Sequence, residues 1–253
     1  MSLIWRLVLK HPVYRIFRKA ATILMPEFKV EGAENLPQGP AIIVGNHSQA
    51  YGPVAAEVYY PRAHSTWCIS EMMEKEKVAD YAYKDFWSKK PLPLRPLLWL
   101  LSRLLPTVAS IALTNAETTP VYRDKRLMKT FQLSTEKLKE NVDIVIFPED
   151  YTEHNNIVHK FQRGFVHVAK YYYRQTGEAI PFVPMYVCPK LGKLVFGKPI
   201  MYDPTAKIDE ESERICSYLQ DSISEIAYSL PRHRVVPYPN VSRKHYPYNE
   251  RKN

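Results

Sequence analysis

Glycine is scarce in this chain: eight among 253 residues, against 21 prolines, with no glycine-rich run. A phosphate cradle of the P-loop or dinucleotide kind needs several glycines in a short span, so neither is indicated. Cysteine is scarcer still. Cys68, Cys188 and Cys216 lie far apart and form no C-x-x-C pair. That argues against a disulfide framework or a cysteine zinc site and fits a reducing compartment. No uninterrupted apolar run reaches the ~18 residues of a confident membrane span. There is no G-x-S-x-G elbow and no H-E-x-x-H pair. His154 and His159, with Glu153 nearby, lack the spacing of a helical metal site, so no metal is expected.

Acid is missing from the first 26 residues, which carry Arg6, Lys10, Arg15, Arg18 and Lys19 among Leu3, Ile4, Trp5, Leu7 and Phe17. Pro12 splits any helix there. Residues 1–27 read as a basic amphipathic segment that rests on anionic lipid at the cytoplasmic face of a membrane, as a peripheral or monotopic contact. The whole chain has a formal net charge of +9, which favours an anionic partner. Nucleic acid fits the charge and the Tyr-rich basic end of the chain, but no other feature, so none is expected. Residues 28–230 read as one domain and residues 231–253 as an extended basic tail rich in Tyr and Pro. The apolar stretch 91–113, broken by Pro93, Pro96 and Pro106, reads either as a core helix or as a rim that dips into lipid.

Apolar periodicity orders the domain. Short strands are expected at the start of the domain after Phe28, at 41–44, at 65–69, just before Arg123, from Val142 to Pro148-Glu149, at 180–187 and at 193–200. Helices are expected at 53–60, 124–140 and 207–230, with another after Phe161 that Gly177 stops. Strands alternating with helices predict an α/β fold with a mixed, mostly parallel central sheet flanked by helices. In such sheets sites gather beyond the carboxyl ends of strands. Three polar clusters fall at those ends: Asn46-His47, Arg123 and Glu149-Asp150.

In order, "GAENLPQGPAIIVGNHS", "PVYRD", "IVIFPE", "FQRGFVHVA", "FVPMYV" and "LVFGKPI" resemble the motifs of the glycerolipid acyltransferase superfamily, which contains the 1-acyl-glycerol-3-phosphate acyltransferases. The resemblance spans about residues 28–204. It implies transfer of an acyl group from acyl-CoA or acyl carrier protein to a hydroxyl of a lysophospholipid or glycerol phosphate. The thioester is then a co-substrate, and no further cofactor is implied. Carried onto this sequence, the family pattern makes His47 the general base and Arg123 the phosphate contact. Glu149 takes the third-motif place, Arg163 is a second anion contact, and Asn46 precedes the base.

Two positions depart from the pattern. The family's H-x-x-x-x-D aspartate is Gly52 here, and its Gly-Thr-Arg after the third-motif glutamate is Asp150-Tyr151-Thr152. Such an aspartate orients the imidazole and stabilises its charged form; Asp150, or Glu149, is the candidate replacement, and the alternative is that Asp150 is a loop or cap residue. If nothing replaces it, the alternative is a weak or inactive acyltransferase-fold protein that binds lipid at a membrane surface.

Overall fold

The computed structural model describes residues 19, 22, 23, 25, 27–72 and 118–251. The basic segment expected at 1–27, apart from five of its residues, and the apolar stretch 91–113 lie outside the described residues. The chain divides into two compact units, residues 1–20 with 67–130, and residues 21–66 with 131–253.

The second unit holds most of a central sheet. Its strands are β1 (Lys29–Glu31), β2 (Ile42–Gly45), β3 (His64–Ile69, which runs on into the first unit), β5 (Asp143–Ile146), β8 (Pro181–Cys188), β9 (Lys193–Phe196) and β10 (Ile200–Met201). The order is β1-β9-β8-β2-β5-β3, with β10 on the edge of β8. All neighbours are parallel except β8 with β9 and β10. In the first unit, β4 (Thr119–Val121) pairs in parallel with the last residues of β3. A separate antiparallel hairpin joins β6 (Glu149–Glu153) to β7 (His159–Phe161).

Four α-helices are described: α1 (Tyr51–Tyr59), α2 (Leu127–Lys139), α3 (His167–Thr176) and α4 (Ile208–Ser229). A strand covered on both faces needs apolar residues at every position rather than at alternate ones. That is the pattern of Ile42-Ile43-Val44, Ile144-Val145-Ile146 and Phe182-Val183, all buried. Successive side chains then take opposite faces. Ile43, Val145, Val183 and Met185 share a core cluster with Ala55 and Ala56 of α1. Phe182, on the other face, packs edge-to-face on Phe165 at 5.8 Å. In α4 the buried Ile215, Leu219, Ile223 and Ala227 recur every fourth residue, one stripe of a 3.6-residue period. Gly177, in the left-handed conformation at φ 75°, ends α3 as expected.

The expected strands and helices recur with most ends within three residues, and the strand expected at 193–200 is split into β9 and β10. The hairpin is the main addition. Pro148 ends the β5 run, and Glu149 starts a new strand instead of finishing the old one. The C-terminal segment also differs from the extended tail. Val235 donates to the Pro247 carbonyl at 2.8 Å. Buried Asn249 accepts from the His233 amide at 2.7 Å and donates to the Ala227 carbonyl at 2.7 Å. Asn156 donates to the carbonyls of Tyr248 and Glu250, both at 2.7 Å. The two arms of the segment pair with each other and with the end of α4, so these backbone groups find partners on the domain rather than in water.

Candidate active site

Parallel pairing fixes where the polar clusters meet. Val44 of β2 stands opposite Ile146 of β5, and Gly45 opposite Met185 of β8. The residues that follow these strands therefore emerge side by side: Asn46-His47 after β2, and Phe147-Pro148-Glu149 after β5.

Asn46 is buried, and its amide is committed to the scaffold. Oδ1 accepts from the Val187 amide at 2.7 Å, and Nδ2 donates to the Val187 carbonyl at 3.1 Å and to Ser48 Oγ at 2.7 Å. It fastens the loop after β2 to β8. Glu149 is fastened likewise. Oε1 accepts from the His159 amide at 2.9 Å and Oε2 accepts from the His47 amide. Burial pushes the Glu149 carboxyl up to about 7, against the opposing pull of those two N–H donors.

Two consequences of Glu149 are testable. Glu149→Ala leaves two amides unpaired in the interior, at about 1–3 kcal/mol for each. A marked drop in the urea midpoint is expected, and an unchanged midpoint would count against this role. The pH dependence follows from the raised folded-state value. Between about 4.5 and about 7 the folded chain binds a proton that the unfolded chain has released. Stability therefore falls as pH rises through that window and levels off above it. Glu149→Gln, which cannot titrate, is expected to flatten this part of the profile.

His47 itself is held from below and walled at the sides. Its Nδ1 contacts the main-chain carbonyl of Gln49. A carbonyl only accepts, so Nδ1 carries the proton and Nε2 keeps its lone pair. The carbonyl reaches the ring because Ser48 and Gln49 both adopt left-handed backbone, at φ 46° and 57°. Such conformations cost non-glycine residues about 1–3 kcal/mol each and persist only where the surroundings enforce them. Phe147 packs edge-on to the imidazole at 5.6 Å and Tyr238, from the C-terminal segment, at 5.3 Å. Burial lowers the His47 pKa, and the bond to the Gln49 carbonyl opposes that shift.

Gly52, where the resemblance led to an expected aspartate, sits against main-chain atoms. Its N–H donates to the His47 carbonyl at 2.9 Å. A Cβ there would stand 2.5 Å from the His47 carbonyl oxygen, 2.7 Å from that of Asn46 and 2.9 Å from Phe147 Cε1. Only glycine fits this approach. Asp150, a candidate replacement, accepts from the Thr152 amide at 2.6 Å, and its charge acts on His159 rather than on His47. The group that meets His47 Nδ1 is thus a main-chain carbonyl, not a carboxylate.

The other candidate residues are placed as follows. Arg163 opens a 3-10 turn before α3 and pairs with Glu213 of α4, both exposed. Arg123 is exposed in the segment between β4 and α2 of the first unit. The structure adds Ser48, Gln49, Phe147 and Tyr238 to the surroundings of His47. No sequence signal marks a carbonyl that turns back on its neighbour. Tyr238 sits 191 positions after His47, in a segment with no apolar period.

In class, a mixed and mostly parallel sheet flanked by helices, with a histidine loop beyond a central strand, is an acyltransferase-like α/β fold. One solved structure it matches is the 1-acyl-sn-glycerophosphate (LPA) acyltransferase PlsC from Thermotoga maritima. The TM-score is 0.52 at 14% identity, over 90% of this chain and 88% of that one. At that identity the likeness establishes the fold. No family model matches the sequence, and no curated protein does.

Proposed function

We propose that the protein transfers an acyl group from a thioester, acyl-CoA or acyl carrier protein, to a hydroxyl of a lysophospholipid or glycerol phosphate. The observation that carries this reading is the state of His47: Nδ1 fixed on a carbonyl, Nε2 left as a base, at a strand end of an acyltransferase fold. In the reaction the acceptor oxygen attacks the thioester carbonyl carbon while Nε2 takes its proton. The tetrahedral intermediate then expels the thiolate, which takes the proton from the imidazolium. The C–O bond forms, the C–S bond breaks and His47 returns to its neutral state. Arg123 and Arg163 enter as anion contacts on their motifs alone. The basic N-terminal segment brings the chain to the cytoplasmic face of an anionic membrane; among the described residues no helix is long and apolar enough to cross one.

A second reading has its own observation. Among the described residues no carboxylate bonds to the His47 ring, so the charged imidazolium formed in the reaction lacks there the partner that a paired aspartate supplies. A weak or inactive protein that binds lipid follows from that. Thiol release from acyl-CoA, measured with lysophosphatidic acid and then with other lysophospholipids, separates the two. Turnover with any acceptor supports the enzyme. Vesicle binding without thiol release supports the second reading.

A further inference from the structure

We infer that Gln49 is the positioning residue of His47 and that the C-terminal segment holds it in place through Tyr246. The inference deepens the acyl-transfer reading and rests on it for its kinetic arm only.

Gln49 acts in two directions. Its carbonyl meets His47 Nδ1, which sets the tautomer and the angle of the ring. Its side-chain amide donates to the Tyr246 hydroxyl at 3.1 Å and to the Pro239 carbonyl at 3.3 Å. An amide nitrogen has two N–H groups, and these two acceptors satisfy both. The residue therefore cannot swing away without losing two bonds. Its left-handed φ of 57° needs such a restraint, because an unrestrained glutamine leaves that region. Ser48, the other left-handed residue, is held from the opposite side by Asn46 and by the Val187 carbonyl. The loop under the imidazole is thus clamped between β8 and the C-terminal segment.

The clamp has a firm base. Tyr246 is 8% exposed, and its neighbour Pro247 receives the Val235 amide. Asn249 ties the same segment to the end of α4. Tyr238, a few residues before Tyr246, adds the ring that packs on His47. One segment thus walls the base and, through Gln49, aims it. In place of an orienting carboxylate the site uses a dipole held by tertiary contacts.

The test uses the full chain with Gln49→Ala, Tyr246→Phe and the double variant. Tyr246→Phe keeps the buried ring and removes only the hydroxyl, so it carries the test if Gln49→Ala unfolds. The first readout is the NMR titration of the His47 imidazole. Its pKa is expected to move further down in both variants, because a slackened Nδ1–H bond to the carbonyl stabilises the protonated ring less. The second readout is thiol release. Each single variant is expected to lower kcat roughly three- to tenfold with KM held within about twofold, and the double variant to be no slower than Gln49→Ala. A His47 titration identical to the wild type in a folded variant overturns the inference. So does a loss confined to KM, or a double variant in which the two losses multiply. A wild-type chain that turns over no acceptor sinks the acyl-transfer reading instead, and the His47 titration still decides the tether.

Discussion

Replacing His47 with alanine is expected to lower thiol release by ~10²–10⁴-fold, the usual contribution of general-base help. The fold should survive. The loop is anchored by Asn46 and by the His47 main chain, through the Glu149 carboxylate and the Gly52 amide, and these bonds remain in the variant. A thermal midpoint close to that of the wild type, together with the loss of turnover, separates chemistry from structure. A residual rate within about tenfold of the wild type would remove His47 from the mechanism, because positioning alone does not replace a proton acceptor. The pH profile carries the same point. Burial lowers the His47 pKa, so at neutral pH the ring is already the neutral base. Activity should hold through neutrality and fall only as pH drops below that lowered value. An acid limb at or above the ordinary histidine range would mean that an anion stabilises the imidazolium after all. That outcome would bring Asp150 back as the partner.

The sheet was readable because its central strands, β2, β5 and β8, are buried on both faces. Ile42 to Val44 and Ile144 to Ile146 leave no polar interruption, and a continuous apolar run ending in a polar cluster marks a parallel strand and its carboxyl end. Meeting of the first and third motifs followed from the pairing of β2 with β5. What sequence could not supply was direction. The Glu149 carboxylate reaches two main-chain amides, and Asn46 is consumed by Val187 and Ser48. Both are scaffold contacts that a motif cannot distinguish from substrate contacts. The C-terminal segment was hidden for another reason. Proline, tyrosine and arginine without an apolar period look like a solvated tail, yet Asn249 and Tyr246 dock it through side-chain hydrogen bonds to residues far off in sequence. The orienting group of His47 was the least legible feature, since every residue has a carbonyl. Only the backbone angles of Ser48 and Gln49 decide where this one points.

Placing an aspartate at position 52 by Gly52→Asp is expected to lower both stability and activity, not to raise them. The substitution looks like a repair in sequence, because it recreates H-x-x-x-x-D. In this structure the new Cβ would stand 2.5 Å from the His47 carbonyl and 2.7 Å from that of Asn46, and both neighbours are main-chain atoms that cannot rotate away. Relief requires a shift of the loop or of the first turn of α1, an overpacking penalty of about 1–3 kcal/mol. The shift would disturb the Gly52 N–H bond to His47 and the turn that brings the Gln49 carbonyl to the ring. Gly52→Ala separates the two contributions. It carries the clash without the charge, so it should lose stability and slow thiol release as well. If Gly52→Asp were faster than the wild type while Gly52→Ala was slower, the loop would be free to open for a carboxylate, and the carbonyl would be only a resting partner of the ring. If both variants lose rate, glycine at 52 is a condition of the carbonyl-oriented histidine. The aspartate and the left-handed turn are then alternative ways of holding the same base, and each excludes the other.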